Sequence, residues 1–315
     1  MGIHVIQSQR LDVLLQGVMA SITQPSSSVF QVFKTQHFIV PSPAQEQWLT
    51  QKIAEQQGMT ANYQFHQNEQ QTAKTLVFVH GLFGSLSNLG MLARHYYASH
   101  HVLQVDVRNH GLSAHSDAMT YELMAADLID TLDELNIEHF SLIGHSMGGK
   151  LVMKVTEVAG NRLEQLVVLD ITPIAYKENH HEQIFKALFS VQKADIENRQ
   201  QAIEIMREYL KEEMVIQFLL KSFSKGKWLF NVDALYQNYA QILSWENIKT
   251  WQKPALFIRG GKSPYVEKPE YMDAIQSQFS QAQIQTVADA GHWLQAEKTS
   301  EVLEIMNQYL DHDCN

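Results

Sequence analysis

Residues Phe140–Lys150 read F-S-L-I-G-H-S-M-G-G-K. The apolar run Phe140–Ile143 predicts a buried strand, and Met147–Ala159 predicts a helix. Between them, Gly144-His145-Ser146-Met147-Gly148 is a G-x-S-x-G pattern in the strand–turn–helix setting that gives the pattern meaning. The glycines let the chain turn sharply, which leaves the Ser146 hydroxyl at the apex. The N-terminus of the following helix then aims free N–H groups at any negative charge that develops there. The five letters also occur in idle Gly-rich turns. The strand, the helix and the extra Gly149 favour the reactive reading.

Outward from this turn, strands and helices alternate. Thr75–Val79, Val102–Val105, Gln165–Ile171, Ala255–Ile258 and Gln283–Val287 are short apolar or β-branched runs. Tyr121–Leu135, Glu270–Phe279 and Thr299–Leu310 have helical spacing. Such alternation implies βαβ crossovers and a mostly parallel, doubly wound sheet, an α/β fold. From Ile174 to about Ile248 the texture changes to charged and helix-prone, with almost no strand signal. An α/β core interrupted by a helical block is a core with a cap. The expected organisation is therefore an N-terminal βαβα extension over 1–61, a first core part over 62–173, the cap over 174–248 and a second core part over 249–315.

A nucleophilic serine needs oxyanion donors and a base. Val79-His80-Gly81-Leu82-Phe83-Gly84-Ser85 follows the first core strand, so the N–H of Leu82 can face the N–H of Met147 across the site. Ala288-Asp-Ala-Gly-His292-Trp293 places His292 between the last strand and the last helix. Alone, that histidine reads as a helix cap. Paired with Ser146 in this chain order, it reads as the general base.

These motifs, with Asp106-Val-Arg108-Asn-His110-Gly111-Leu-Ser113, resemble the α/β-hydrolase superfamily, and more closely the YbfF-type bacterial esterases, from about Asn62 to Leu310. The resemblance implies hydrolysis of carboxylic acyl esters or acyl thioesters under a helical cap. It implies Ser146 as nucleophile, His292 as base, and Phe83 and Tyr265 as substrate contacts, with no cofactor and no metal.

The acid partner is less direct. In many such hydrolases it lies on the loop after the strand Ala255–Ile258, where this chain reads Gly260-Gly-Lys-Ser263-Pro-Tyr265. Ser263 can accept a hydrogen bond but cannot balance an imidazolium charge. Losing that carboxylate costs about 10⁴ in turnover in a serine protease. Asp170, ending the strand after the nucleophile helix, lies on the same rim in a doubly wound sheet and keeps the order Ser146, Asp170, His292. It could instead cap the turn at Thr172-Pro173. Glu267 and Asp289 are weaker rivals in polar segments. The expectation is Asp170 as the acid, with Ser263 as a fourth member that orients the histidine. The Gly-Lys-Ser triplet at 261–263 fails as a phosphate loop, because Leu256 stands where that pattern needs glycine.

The first seventy residues are Gln-rich and read strand (Ile3–Ile6), helix (Arg10–Ile22), strand (His37–Val40) and helix (Ala44–Gln57). Their segments His4–Leu14, Ala44–Leu49 and Gly58–Asn62 resemble the extreme N-terminus of the gamma chain of bacterial exodeoxyribonuclease V. That suggests a fusion fragment without DNA function of its own.

Composition narrows the rest. A net charge of −10 disfavours a nucleic-acid surface. The 15 histidines lack metal-ligand spacing, and the pairs His100-His101 and His180-His181 read as solvated loop. No apolar run approaches a membrane span. The lone Cys314 fits a reducing cytoplasm. The partner is thus a small-molecule ester or thioester. The alternatives are acyl transfer or C–C hydrolysis by the same residues, or a non-catalytic binding module on this fold. An aspartate nucleophile, as in dehalogenases and epoxide hydrolases, is disfavoured by Ser146.

Overall fold

The computed structural model describes residues 59–70, 72–196 and 198–311, and the elements expected within residues 3–57 lie outside these. The described chain from Met59 onward is one compact unit. Its start is tied to the helix Tyr121–Glu134: the Met59 N–H donates to Asp127 and the Ala61 N–H donates to Thr131 Oγ1.

Seven strands form the central sheet: β1 (Tyr63–His66), β2 (Thr75–Val79), β3 (His101–Val105), β4 (Phe140–His145), β5 (Leu163–Leu169), β8 (Trp251–Gly260) and β9 (Phe279–Val287). Their spatial order is β1-β3-β2-β4-β5-β8-β9. All neighbours are parallel except β1, which pairs antiparallel with β3 through Tyr63↔Val105. β2 and β4 are buried at every residue, as strands covered on both faces are. Alternate side chains serve opposite layers. Val77, Val79, Leu142, Val168 and Phe257 enter one apolar cluster. Leu76, Phe78, Ile143, Val167, Leu256 and Ile258 enter the other.

Helix α1 (Gly90–His95) and the C-terminal Thr299–Leu310 helix cover the second face, contributing Leu92, Met306 and Leu310. Helices α2 (Tyr121–Glu134) and α3 (Met147–Val155) cover the first, with Leu128 and Leu151. Thr120 caps α2 by accepting the Leu123 N–H, satisfying an otherwise orphaned donor.

Between β5 and β8 the chain forms α4 (Glu182–Ala194), α5 (Arg199–Arg207), α6 (Glu213–Leu220), α7 (Val232–Gln237) and α8 (Tyr239–Leu243). This block also contains a small antiparallel ribbon, β6 (Phe223–Ser224) with β7 (Lys227–Trp228), which the sequence reading did not anticipate. Two strand residues on each side are too few to leave a period-2 signal. The block is fastened to the core at several points. The Asn231 N–H donates to the Asn109 carbonyl, Ser222 Oγ to the Phe83 carbonyl, and Tyr121 Oη to the Ile242 carbonyl. Lys150 Nζ donates to the carbonyls of Leu243 and Ser244, both at 3.0 Å. After β8 come α9 (Pro269–Gln278), then β9, then α10 (Leu294–Glu297) and α11 (Thr299–Leu310).

Candidate active site

Ser146 stands between β4 and α3 with φ 55° and ψ −121°, a conformation that non-glycine residues adopt only when their surroundings enforce it. Three close contacts enforce it. The Ser146 N–H donates to the Leu169 carbonyl at 3.0 Å. A side chain on Gly148 would lie 2.4 Å from the carbonyl oxygens of Val79 and His80, so α3 can start here only with glycine at this point. A side chain on Gly81 would come within 3.2 Å of Ser146 Cβ, so the loop after β2 lies directly against the serine.

From Ser146 a hydrogen-bond chain runs across the rim of the sheet. Ser146 Oγ lies 2.9 Å from His292 Nε2, and His292 Nδ1 lies 2.6 Å from Asp170 Oδ2. Asp170 follows β5, is 1% exposed and has φ 53°. Its other oxygen, Oδ1, accepts the Gly260 N–H at 2.7 Å, and its Oδ2 also accepts from Ser263 Oγ. The carboxylate therefore meets three donors from two loops, the one after β8 and the one after β9. Because the carboxylate accepts from Nδ1, that nitrogen carries the proton, and Nε2 is free to accept from the serine. Sequence reasoning named all four side chains of this chain but not the Gly260 N–H, because a backbone donor leaves no mark on residue type.

The rivals are elsewhere. Asp289 is exposed and pairs with Lys262 at 3.2 Å, and Glu267 is exposed on the far side of the Pro264–Val266 turn.

The loop after β2 is shaped by two buried, neutral histidines. Burial pushes His110 down to about 3 and also lowers His80. Each ring donates from Nδ1 to a carbonyl, that of Arg108 or of Gly81. Each accepts an amide at Nε2. His110 takes the Phe83 N–H at 3.1 Å, and His80 takes the Val107 N–H at 3.0 Å. The Phe83 amide is thus engaged, and the Leu82 amide, the donor expected from the sequence, is the one before it in the turn. Met147 is the first residue of α3, where an amide has no helical acceptor.

Further residues hold His292. His145 is pushed down to about 3 by burial, so its ring is neutral and its Nε2–H donates to the His292 carbonyl at 2.8 Å. The Tyr265 ring lies 4.2 Å from that of His292, centre to centre. Tyr265 thus packs against His292 and does not line the crevice over Ser146. Burial pushes its hydroxyl up to about 12, so it stays neutral. Tyr176 Oη donates to the Tyr265 carbonyl at 2.7 Å and accepts the Thr172 N–H, joining the loop after β5 to the loop after β8.

The crevice over Ser146 is lined by Leu82, Phe83, Ile184, Val215, Phe218 and Trp293, with a few polar side chains among them. Phe83 is 2% exposed and wedges its ring against Phe185 and Phe230, so it anchors the helical block as well as walling the crevice. His181 also lines the crevice, which corrects the solvated-loop reading of that residue. Its Nδ1 is 2.6 Å from Tyr239 Oη, and burial pulls it down to about 4. His180, its neighbour, faces outward beside Glu178 at 3.3 Å. Arg108 and Asp106 do not pair with each other. Arg108 makes a buried two-pronged bond to Asp127, while Asp106 accepts the N–H groups of Leu86 and Leu112. Among the described residues no helix is long and apolar enough to cross a membrane.

With this geometry in hand, comparison with known proteins is specific. The sequence model of the alpha/beta hydrolase fold matches residues 74–299, and the chain belongs to that family. The model of the RecC N-terminal domain matches residues 3–84, overlapping the start of the first. Esterase YbfF of Escherichia coli (strain K12) is 51% identical over 236 residues, which cover 75% of this chain and 92% of that protein. The sn-1-specific diacylglycerol lipase ABHD11 of Mus musculus is 36% identical over 251 residues, covering 76% of this chain and 81% of that one. Among solved structures, a marine microorganism esterase has a TM-score of 0.75 at 29% identity, covering 80% of this chain and 100% of its own.

Proposed function

We propose that this chain is a serine hydrolase of small carboxylic acyl esters, acyl thioesters included. The observation that carries the reading is the unbroken hydrogen-bond chain Ser146–His292–Asp170, at 2.9 and 2.6 Å. The naming of relatives as esterase and lipase supports it.

In this reading Ser146 Oγ attacks the ester carbonyl while His292 Nε2 takes its proton. The Asp170 carboxylate, held by Gly260 and Ser263, stabilises the imidazolium that forms. The N–H groups of Leu82 and Met147 hold the tetrahedral oxyanion, and loss of one such donor costs about 2.7–4 kcal/mol of barrier. His292 then protonates the departing alcohol or thiol. Water, activated by the same histidine, attacks the acyl-enzyme and restores Ser146. Phe83 walls the acyl crevice, and Tyr265 acts through its contact with His292.

The same reading treats residues 174–248 as a cap on a core formed by 62–173 and 249–315. It treats residues 1–61 as a fusion segment that takes no part in the reaction. Fluorophosphonate labelling and p-nitrophenyl butyrate hydrolysis test the proposal together. Wild type should label at Ser146 and turn over, and Ser146→Ala should do neither. Turnover that survives in Ser146→Ala would remove the serine from the chemistry.

A further inference from the structure

His181 stands just before α4, half-buried, and lines the crevice together with Ser146 and His292. Its ring is edge-on to Phe83, with centres 5.8 Å apart, and edge-on to Tyr239 at 5.6 Å. It also feels the charge of His292, so it lies within electrostatic reach of the reacting end. Its two nitrogens differ. Nδ1 is 2.6 Å from Tyr239 Oη. Tyr239 is buried, and burial keeps its hydroxyl neutral. Among the described residues, Nδ1 is the only acceptor that meets this hydroxyl. The phenol therefore donates to Nδ1, because the reverse would leave its own proton unpaired. A neutral imidazole has one N–H, so the proton of His181 is on Nε2.

Nε2 lies across the ring from the nitrogen that Tyr239 holds. Among the described residues it bonds nothing, and it is not one of the unpaired atoms that are shut off from the surface. The side chains of Leu82, Phe83, Ile184, Val215 and Phe218 in the same crevice offer it no acceptor. A bound chain of plain hydrocarbon would displace water from this N–H and give nothing back.

We propose that His181 is a specificity residue whose Nε2–H donates to a second oxygen of the substrate, an ether or keto oxygen on a chain next to the ester that is cleaved. The neutral ring has no charge to balance a carboxylate, so the class is alkoxy and keto esters. A site built to bond such an oxygen discriminates against the analogue that lacks it, because the donor is then left unpaired. This inference rests on the esterase reading above.

The test uses two pairs of esters matched in length. p-Nitrophenyl 4-methoxybutanoate against p-nitrophenyl hexanoate puts the oxygen on the acyl half. 2-Methoxyethyl butyrate against butyl butyrate puts it on the alcohol half. The quantity read is the ratio of kcat/KM values, methoxy over alkyl, on one enzyme sample, which cancels any loss of active protein. His181→Phe keeps a ring without an N–H and should lower that ratio about tenfold in one pair, the equivalent of ~1.4 kcal/mol. The pair that responds identifies the half that carries the oxygen. Tyr239→Phe leaves His181 in place but removes the group that fixes its proton on Nε2. It should lower the same ratio by a smaller factor, which keeps the test usable if His181→Phe folds poorly. Ratios unchanged in every pair that wild type hydrolyses overturn the inference and leave the esterase reading standing. A wild type that hydrolyses none of the four esters and takes no fluorophosphonate overturns both.

Discussion

The Ser263 hydroxyl donates to the carboxylate of Asp170, and the two residues sit at the ends of adjacent parallel strands, β8 and β5. The turn where a carboxylate is usual thus holds the partner of a carboxylate one strand away. Asp170→Asn is expected to lower turnover of p-nitrophenyl butyrate by three to four orders of magnitude, in line with the ~10⁴ lost in a serine protease. Ser263→Ala should lose only about tenfold, since the Gly260 N–H and His292 still hold Asp170. In Asp170→Ser combined with Ser263→Asp, the charge moves one strand over and should recover part of the lost rate. A double variant no faster than Asp170→Ser alone would show that the second position cannot support His292.

Gly148 is fixed by packing. A methyl group there would lie 2.4 Å from two carbonyl oxygens at the end of β2. Gly148→Ala should cost roughly 1–3 kcal/mol in urea unfolding. It should also lower kcat by more than that loss of folded protein explains, because α3 would be pushed away from the Leu82 turn.

Lys150 gives a pH signature. In the unfolded chain it keeps its proton to the ordinary 10.5, whereas in the fold burial pulls it down to about 7. Between those values the unfolded state binds more protons, so the contribution of this group to stability rises with pH across that window. Unfolding free energies measured from pH 7 to 10 should show that rise in wild type. The slope should be shallower in Lys150→Met, by up to one proton.

Tyr176→Phe removes the hydroxyl that joins Thr172 to the Tyr265 carbonyl. A loss of about 1–3 kcal/mol in stability is expected, as for a buried network that loses a shared partner. Thermal melting of the variant beside wild type checks it.

Much of the site could be read from the sequence, because its side chains are of types that do chemistry and its turns follow apolar strands. The strand Thr75–Val79 and the helix Thr299–Leu310 have the limits their patterns predict. β9 runs longer than its apolar stretch, since Gln and Ser at an edge strand carry no hydrophobic signal, and β8 extends beyond its apolar stretch through Trp251-Gln-Lys-Pro and Arg259-Gly260, which break the apolar run. β1 was missed for the same reason: Tyr-Gln-Phe-His alternates over only four residues. His181 and Lys150 were beyond reach in a different way. A charged or polar side chain reads as solvated until the segment that covers it is known, and both meet parts of the chain distant in sequence.

Lys150 lies one turn along the helix that begins at Ser146, and its ammonium group grips the last carbonyls of the helical block at Leu243 and Ser244. The end of the helical block is therefore bolted to the same rod whose first residue, Met147, stands next to Ser146. On the proposed esterase reading, a substitution in the block that loosens this bolt should lower kcat without touching substrate, because the proposed oxyanion amide rides on that rod.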